Sequence, residues 1–426
     1  MAINEVRQRK GTAPFHPGTS AEQAVDGHPA GEVQHGKLLQ WIRLFLFVTY
    51  FVGCNFAICV TQFVGSPLYL INKDLYYAWM ALTKQSFGLV ITFMTRWWSP
   101  TVIRISGDAS VAGQMRKTGD GTVEFQFPER MVLVANHQIY TDWIYLWWSA
   151  YANSPALHGH IYIILKDSLK YIPILGHGMM FFGFIFMSRK MAKDQERMAH
   201  RLRKLRQTHA GPLSGPKGLD PMWLLIFPEG TNISDNTKPR SDKWAEKIGV
   251  ETTQHLLLPR STGTYFCLTE LQDTVEYVYD CTVAYEGVPR GHFGQDYFTL
   301  TSSYLEGRPP KSVNMYWRCF AVADIPLKDQ DSFDLWLRER WYEKDALLEQ
   351  YLTTGRFPPN EVSKEQDDVI PKGVLNGGYI ETEVKPKHSW ELLSLFVPLA
   401  ALGLIANIVA RVYNLVVYGD MSGYQY

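Results

Sequence analysis

The chain has 426 residues, enough for one large domain with appendages, and its 42 basic and 42 acidic residues cancel. That balance leaves no electrostatic footprint of nucleic acid or of a strongly acidic partner. Aromatic residues reach 14%, and such rings are favoured where one end is apolar and the other wet, as at a lipid–water boundary.

Residues 1–40 are polar and rich in Gly, Pro, His and Glu, a composition expected to stay disordered. They include Glu5, Glu22, Asp26 and Glu32, whereas mitochondrial transit peptides are acid-poor. The endoplasmic reticulum membrane is therefore expected rather than a mitochondrial one. Residues 41–98 read as a membrane unit. Leu44 to Val64 is free of charge, and about 21 helical residues at 1.5 Å each cover a hydrocarbon core of about 30 Å. Ala78 to Met94 is weaker, interrupted by Lys84 and Gln85, and reads as a second span or an interfacial helix. Basic residues cluster before the first stretch and after the second, so the positive-inside rule predicts a hairpin with both ends, and the domain that follows, on the cytoplasmic side.

Residues 99–353 are expected to form that domain. β-rich runs at Val123–Phe127, Met131–Ala135, Ile161–Leu165, Gly183–Met187, Met222–Phe227, Tyr277–Ala284 and Ser312–Val322 are interspersed with helical patterns at Arg189–Thr208 and Phe333–Thr353. This order predicts an α/β fold, a mixed sheet covered by helices, with membrane helices at both ends. His209–Pro221 and Asn232–Asp242 read as loops. Residues 354–388 are polar and punctuated by Pro and Gly, a linker pattern. Residues 389–426 hold a further apolar run, Leu392–Ala410, which Pro398 is placed to kink. The five cysteines show no CxxC or Cys/His metal spacing and are expected to be buried free thiols.

The strongest chemical signal is Asn136-His137-Gln138-Ile139-Tyr140-Thr141-Asp142-Trp143, directly after an apolar strand. A neutral imidazole takes a proton from an alcohol near pH 7, and a carboxylate that fixes its tautomer improves it. His137 in a loop and Asp142 in the first turn of the next helix can meet, giving the His–Asp part of a triad with a substrate hydroxyl in place of Ser. On spacing alone, a structural His beside a capping Asp fits equally well. A second strand ends in Ile226-Phe227-Pro228-Glu229-Gly230-Thr231, whose Pro–Gly turn offers backbone N–H groups to a phosphate. Glu229 is a candidate for a glycerol hydroxyl or for placing His137. A third ends at Ser188-Arg189, where the Arg fork suits a phosphate oxygen pair. A fourth element, Thr282 to Pro289, adds a turn with no evident chemistry.

In this order, the four elements resemble the glycerophospholipid acyltransferase family that includes the 1-acylglycerol-3-phosphate acyltransferases. The NHQIYTDW form, Lys166–Lys170, Leu258-Pro259-Arg260-Ser261-Thr262-Gly263 and Asp280–Tyr285 are most similar to the lysocardiolipin and lysophosphatidylinositol acyltransferase branch. The resemblance implies acyl-coenzyme A as donor, a lysophospholipid acceptor, a lipid bilayer setting, and no cofactor, metal or nucleic acid. It implies His137 and Asp142 as catalytic residues, and Arg189, Glu229, Gly230 and Thr231 as substrate-binding ones. Two positions depart from the pattern. Asn232 stands where many members carry Arg, and Ser188 where many carry an acid, so one expected phosphate contact is missing. Rival readings are an enzyme making phosphatidic acid, and a non-catalytic lipid-binding protein on the same scaffold.

Overall fold

The computed structural model describes residues 27–188, 191–213, 215–360 and 378–418. Eight of its strands form one sheet: β1 (Val102–Gly107), β2 (Arg130–Ala135), β3 (Ile161–Lys166), β4 (Ile185–Met187), β5 (Met222–Ile226), β6 (Tyr277–Tyr285), β7 (Ser312–Ala321) and β8 (Ile380–Glu383). Their order is β8-β1-β7-β6-β2-β5-β3-β4. Neighbours from β6 through β2, β5 and β3 to β4 run parallel, whereas β6–β7 and β1–β8 are antiparallel. The expected mixed α/β sheet is thus present. A parallel sheet needs cover on both faces, and its strands then read as continuous apolar runs. The MVLVA of β2 and MWLLI of β5 are buried throughout.

Alternation along each strand divides the core in two. Met131, Leu133, Ala135, Trp223 and Leu225 face one layer, while Val132, Val134, Leu224 and Ile226 face the other. The first layer is covered by α2 (Lys73–Trp98), through Phe87, Val90 and Ile91, and by α3 (Asp142–Tyr151), through Tyr145, Trp147 and Trp148. The second is covered by α4 (Met191–Leu205), through Met198 and Leu202, and by α6 (Ser261–Leu271), through Leu268 and Leu271. A long helix, α7 (Gln330–Thr354), adds Phe333, Leu337 and Trp341 to that layer.

Several elements differ from expectation. The Val123–Phe125 strand pairs with Met115–Lys117 in a ribbon outside the main sheet. The supposed loop at 209–221 contains a hairpin of Thr208–Gly211 with Gly215–Leu219. The second supposed loop runs into α5 (Lys238–Ile248), whose Pro239 lies in the first turn, where no N–H is required. Within the polar stretch 354–388, Ile380–Glu383 forms the edge strand β8 beside β1. The five cysteines are free thiols; four are buried and Cys319 is half-buried.

Two helical segments among the described residues are long and apolar enough to cross a membrane: Lys37–Ile71, containing α1 (Lys37–Gly65), and Glu391–Val417, containing most of α8 (Val397–Tyr418). Only 22% and 6% of their apolar windows are buried within the protein. Helix α2 behaves differently. Asn72 caps it, its Oδ1 accepting from Asp74 N at 2.9 Å and Leu75 N at 3.1 Å. From Met80 onward most of its residues are buried, and Tyr50 Oη of α1 donates to its Val90 carbonyl at 2.9 Å.

An internal ion network ties α7 to the sheet. Lys344, wholly buried, lies 2.6 Å from Asp280 Oδ1 and donates to the Cys281 carbonyl at 2.9 Å. Arg318 donates to Asp280 Oδ2 at 2.7 Å and to Glu343 at 2.6 Å. Burial would raise the Asp280 carboxyl, but the Lys344 ammonium and Arg318 guanidinium outweigh it and hold it below its ordinary range. Breaking such a pair leaves an uncompensated buried charge, at about 3–5 kcal/mol. Lys344→Ala should therefore lower stability by about that amount, read from thermal unfolding in detergent. A change of less than about 1 kcal/mol would show that the network is not what fastens α7.

Candidate active site

Strand β2 ends at Ala135, and the next residue anchors the loop that follows. Asn136, fully buried, donates from Nδ2 to the Val283 carbonyl at 2.9 Å and accepts from Val283 N at 2.8 Å. Its amide thereby continues the β2–β6 pairing by side chain. The chain then turns tightly, because one carboxylate oxygen collects three donors. Asp142 Oδ2 accepts from Gln138 N at 2.6 Å and Ile139 N at 3.0 Å, and His137 Nδ1 lies 2.7 Å away. Asp142 is the first residue of α3, at the positive end of that helix. Its other oxygen accepts from the Tyr285 hydroxyl. Burial and the nearby Asp142 charge push the Tyr285 phenol above its ordinary value, so it remains a donor.

The second turn follows β5 and supports the first. Glu229 is 3% exposed, and its carboxyl accepts from His137 N at 2.9 Å and from Leu257 N at 3.1 Å. It grips the backbone of the His137 loop rather than facing solvent. Burial pushes this carboxyl up to about 8, against the pull of the two N–H donors. Ile233 N donates back to the His137 carbonyl at 2.9 Å, and Phe227 lies over the His137 ring, centroids 4.4 Å apart and planes 25° from parallel. Gly230 has φ +73°, a left-handed conformation that suits glycine.

This framework leaves a defined set of groups uncommitted. The His137 side chain is 18% exposed, and its Nε2 has no partner among the described residues. Nor do the backbone N–H groups of Thr231 and Asn232 have one there. The Arg260 backbone N–H donates to the Pro228 carbonyl at 2.8 Å, which lays that exposed side chain over the turn; a Cβ added to Gly230 would stand 4.0 Å from Arg260 Cδ. Arg260 has no ion pair among the described residues. Of the sequence-derived candidates, His137, Asp142 and Glu229 are joined by hydrogen bonds, and Gly230 and Thr231 sit in the adjoining turn. Arg189 lies outside the described residues. Among the described residues, no three His, Cys, Asp or Glu side chains are placed to hold a metal ion.

Two residues were not singled out from sequence. Tyr285 belongs to the fourth element, whose role was unassigned; a buried phenol at a strand end was the available signal. Arg260 was noted only as part of a shared run, yet it places a guanidinium beside the turn whose Asn232 replaces the expected Arg.

Comparison with known proteins gives a consistent picture. Residues 120–286 match the family described as Acyltransferase, and residues 303–375 the one described as Acyltransferase C-terminus. The chain is 36% identical to an uncharacterized acyltransferase of Schizosaccharomyces pombe, over 83% of this chain and 93% of that protein. It is 37% identical to the 2-acyl-1-lysophosphatidylinositol acyltransferase of Saccharomyces cerevisiae, over 72% and 83% respectively. With lysocardiolipin acyltransferase 1 of Gallus gallus it shares 28% identity over 75% of each.

Tyr285→Phe removes one donor from a buried carboxylate while keeping the ring. The expected result is a fall of about tenfold in turnover with little change in KM, matching a hydrogen bond to a charged group of roughly 1.5–3 kcal/mol only partly felt in the reaction. Unchanged turnover would mean that Asp142 is held well enough by its other donors.

Proposed function

Since the chain belongs to the glycerophospholipid acyltransferase family, nearest its lysocardiolipin and lysophosphatidylinositol branch, we propose that it esterifies a lysophospholipid with a fatty acyl group from acyl-coenzyme A, using His137 as general base. The observation that carries this reading is the His137 Nδ1–Asp142 Oδ2 contact of 2.7 Å beside an uncommitted Nε2. Held by Asp142, the ring presents Nε2 to the acceptor hydroxyl. As that oxygen attacks the thioester carbonyl, its proton passes to Nε2 and Asp142 stabilises the imidazolium. Collapse of the tetrahedral intermediate breaks the C–S bond and releases coenzyme A thiolate, which the imidazolium can reprotonate. The acyl group goes directly to the acceptor, so no cysteine is required.

The free N–H groups of Thr231 and Asn232 fit an oxyanion or a phosphate oxygen, with Arg260 beside them as the counter-charge. Arg189 remains a candidate for the same phosphate from its position after β4. Glu229 acts as a positioning residue for the His137 loop. The apolar helices α1 and α8 would hold the site at the interface into which both lipid substrates partition, with the catalytic domain in the cytoplasm at the endoplasmic reticulum. The Saccharomyces cerevisiae and Gallus gallus relatives above are named for lysophosphatidylinositol and lysocardiolipin, and a phosphodiester head group of that kind accords with Asn232 in place of Arg.

Release of coenzyme A by the purified protein, with oleoyl-coenzyme A and a panel of lysophospholipids, tests this reading. Lysophosphatidylinositol or lysocardiolipin should support release, and His137→Ala should reduce it by at least about 10³-fold with folding intact. Release with lysophosphatidic acid alone would move the enzyme to the branch making phosphatidic acid. Near-normal release by His137→Ala would remove His137 as the base.

A further inference from the structure

The site above lies at the carboxyl ends of the parallel strands; a second polar cavity lies at their opposite ends. It is lined by the strand starts Arg130, Tyr162 and Met222, by Lys84 of α2 and by Arg201 and Lys204 of α4, and has a volume of about 140 Å³. Strand β2 runs from Arg130 to Ala135, and at about 3.3 Å per residue the cavity stands roughly 20 Å from the His137 loop.

Its charges are not internally balanced. Lys84 is 2% exposed, with Nζ 3.6 Å from the centre of the Tyr162 ring. That π face is its sole close partner among the described residues besides a more distant Phe184 ring at 5.8 Å. A buried ammonium without a hydrogen-bonded counter-charge is strongly disfavoured. Arg201 and Lys204 likewise have no hydrogen bond or ion pair among the described residues. Arg130 is committed to the carbonyls of Thr274, Asp220 and Leu205. Asp220 lines the cavity and is 4.0 Å from His209, which also meets Asp74 at 2.7 Å. Against the single Asp220 carboxylate the lining sets Arg130, Arg201 and Lys204, so the cavity is net cationic, and Lys84, held well below its ordinary value by burial, adds a buried donor. Beside it, the link from α1 to α2 exposes Tyr69, Leu70 and Ile71, at 39%, 88% and 78%.

We infer that this cavity binds the phosphate of an anionic phospholipid, at a site separate from the reaction centre, with the acyl chains lying along the exposed apolar link. Arg201 and Lys204 supply the charge and close over the phosphate from the basic helix, while the buried Lys84 side chain offers N–H donors from the wall of the cavity. The chemistry shared with a free anion is the phosphate group; the apolar margin is what selects a lipid.

Binding of dihexanoyl phosphatidic acid, soluble as a monomer, to the purified full chain tests the inference, with bound molecules counted by native mass spectrometry. The double variant Arg201→Gln/Lys204→Gln keeps helix-forming residues and leaves the proposed catalytic groups untouched. It should weaken one binding event by at least tenfold while kcat/KM for a monomeric short-chain acceptor stays within twofold. His137→Ala should leave that event unchanged. Lys84→Met should abolish it without lowering thermal stability, because Met keeps the packing against the Tyr162 and Phe184 rings and gives up no hydrogen bond to another described residue. Inorganic phosphate at millimolar concentration serves as the second probe: failure to displace the lipid assigns the site to a phospholipid, and displacement assigns it to phosphate from either source. Undiminished lipid binding in the double variant, or a loss confined to His137→Ala, would overturn the inference.

Discussion

The carboxylate of Asp142 is the constraint on which the rest of the site depends. One buried side chain accepts from two successive backbone N–H groups, holds the His137 ring, and is itself held by Tyr285. Each hydrogen bond to a charged group contributes roughly 1.5–3 kcal/mol, so together they define one loop geometry. The five-residue spacing follows from that geometry. Within a regular helix, residues five apart would diverge; with the helix beginning at Asp142, the preceding loop folds back over its amino end. The same bonds that shape the loop orient the imidazole, so the proposed base and the local structure share one set of atoms.

Three other elements make this arrangement rigid from outside. Asn136 links the loop to β6, Glu229 joins its backbone to the turn after β5 and to the 257 segment, and Ile233 returns a bond to the His137 carbonyl. Glu229 illustrates how a residue in a recognisable motif can act through backbone support. Its carboxyl is buried and accepts from two backbone amides, whereas the groups of that turn proposed to meet substrate are the free N–H donors and the Arg260 fork. The buried Asp280–Lys344–Arg318 network stabilises the same strand, β6, that carries Tyr285 and the partner of Asn136. The geometry of the proposed site is thus tied to the fastening of α7.

Much of this was legible in the chain itself because parallel strands buried on both faces leave continuous apolar runs. β2 and β5 announced themselves in that way, and the motifs directly after them stood out, whereas β6 and β7, interrupted by Asp280 and Arg318, were read from their β-branched and aromatic content. Elements lacking that signature were harder to read. β1 alternates through Arg104, which pairs with Glu286 and Glu381, and β8 is a four-residue edge strand with two acids. Helix α5 opens with Lys-Pro-Arg and looked like a turn. A phenol at a strand end marked Tyr285 only weakly, since its contact with Asp142 depends on the register of β6 against β2, which is a tertiary property. Lys84 weakened its apolar stretch as a span, and the helix that carries it is not among the two described helices long enough and apolar enough to cross; the side chain lies buried against the sheet at a polar cavity. Helix α2 therefore reads as cover for the core along much of its length, while α1 and α8 keep largely unburied apolar surfaces suited to lipid.

The most direct test of the central claim is a double-mutant cycle on kcat using His137→Ala and Asp142→Asn, with circular dichroism confirming that each variant is folded. If the two side chains act as one catalytic unit, each single variant loses at least about 10³-fold and the double variant is no slower than His137→Ala. Multiplicative losses, with the double variant slower by the product of the two single effects, would contradict the account and confine Asp142 to a role in shaping the loop.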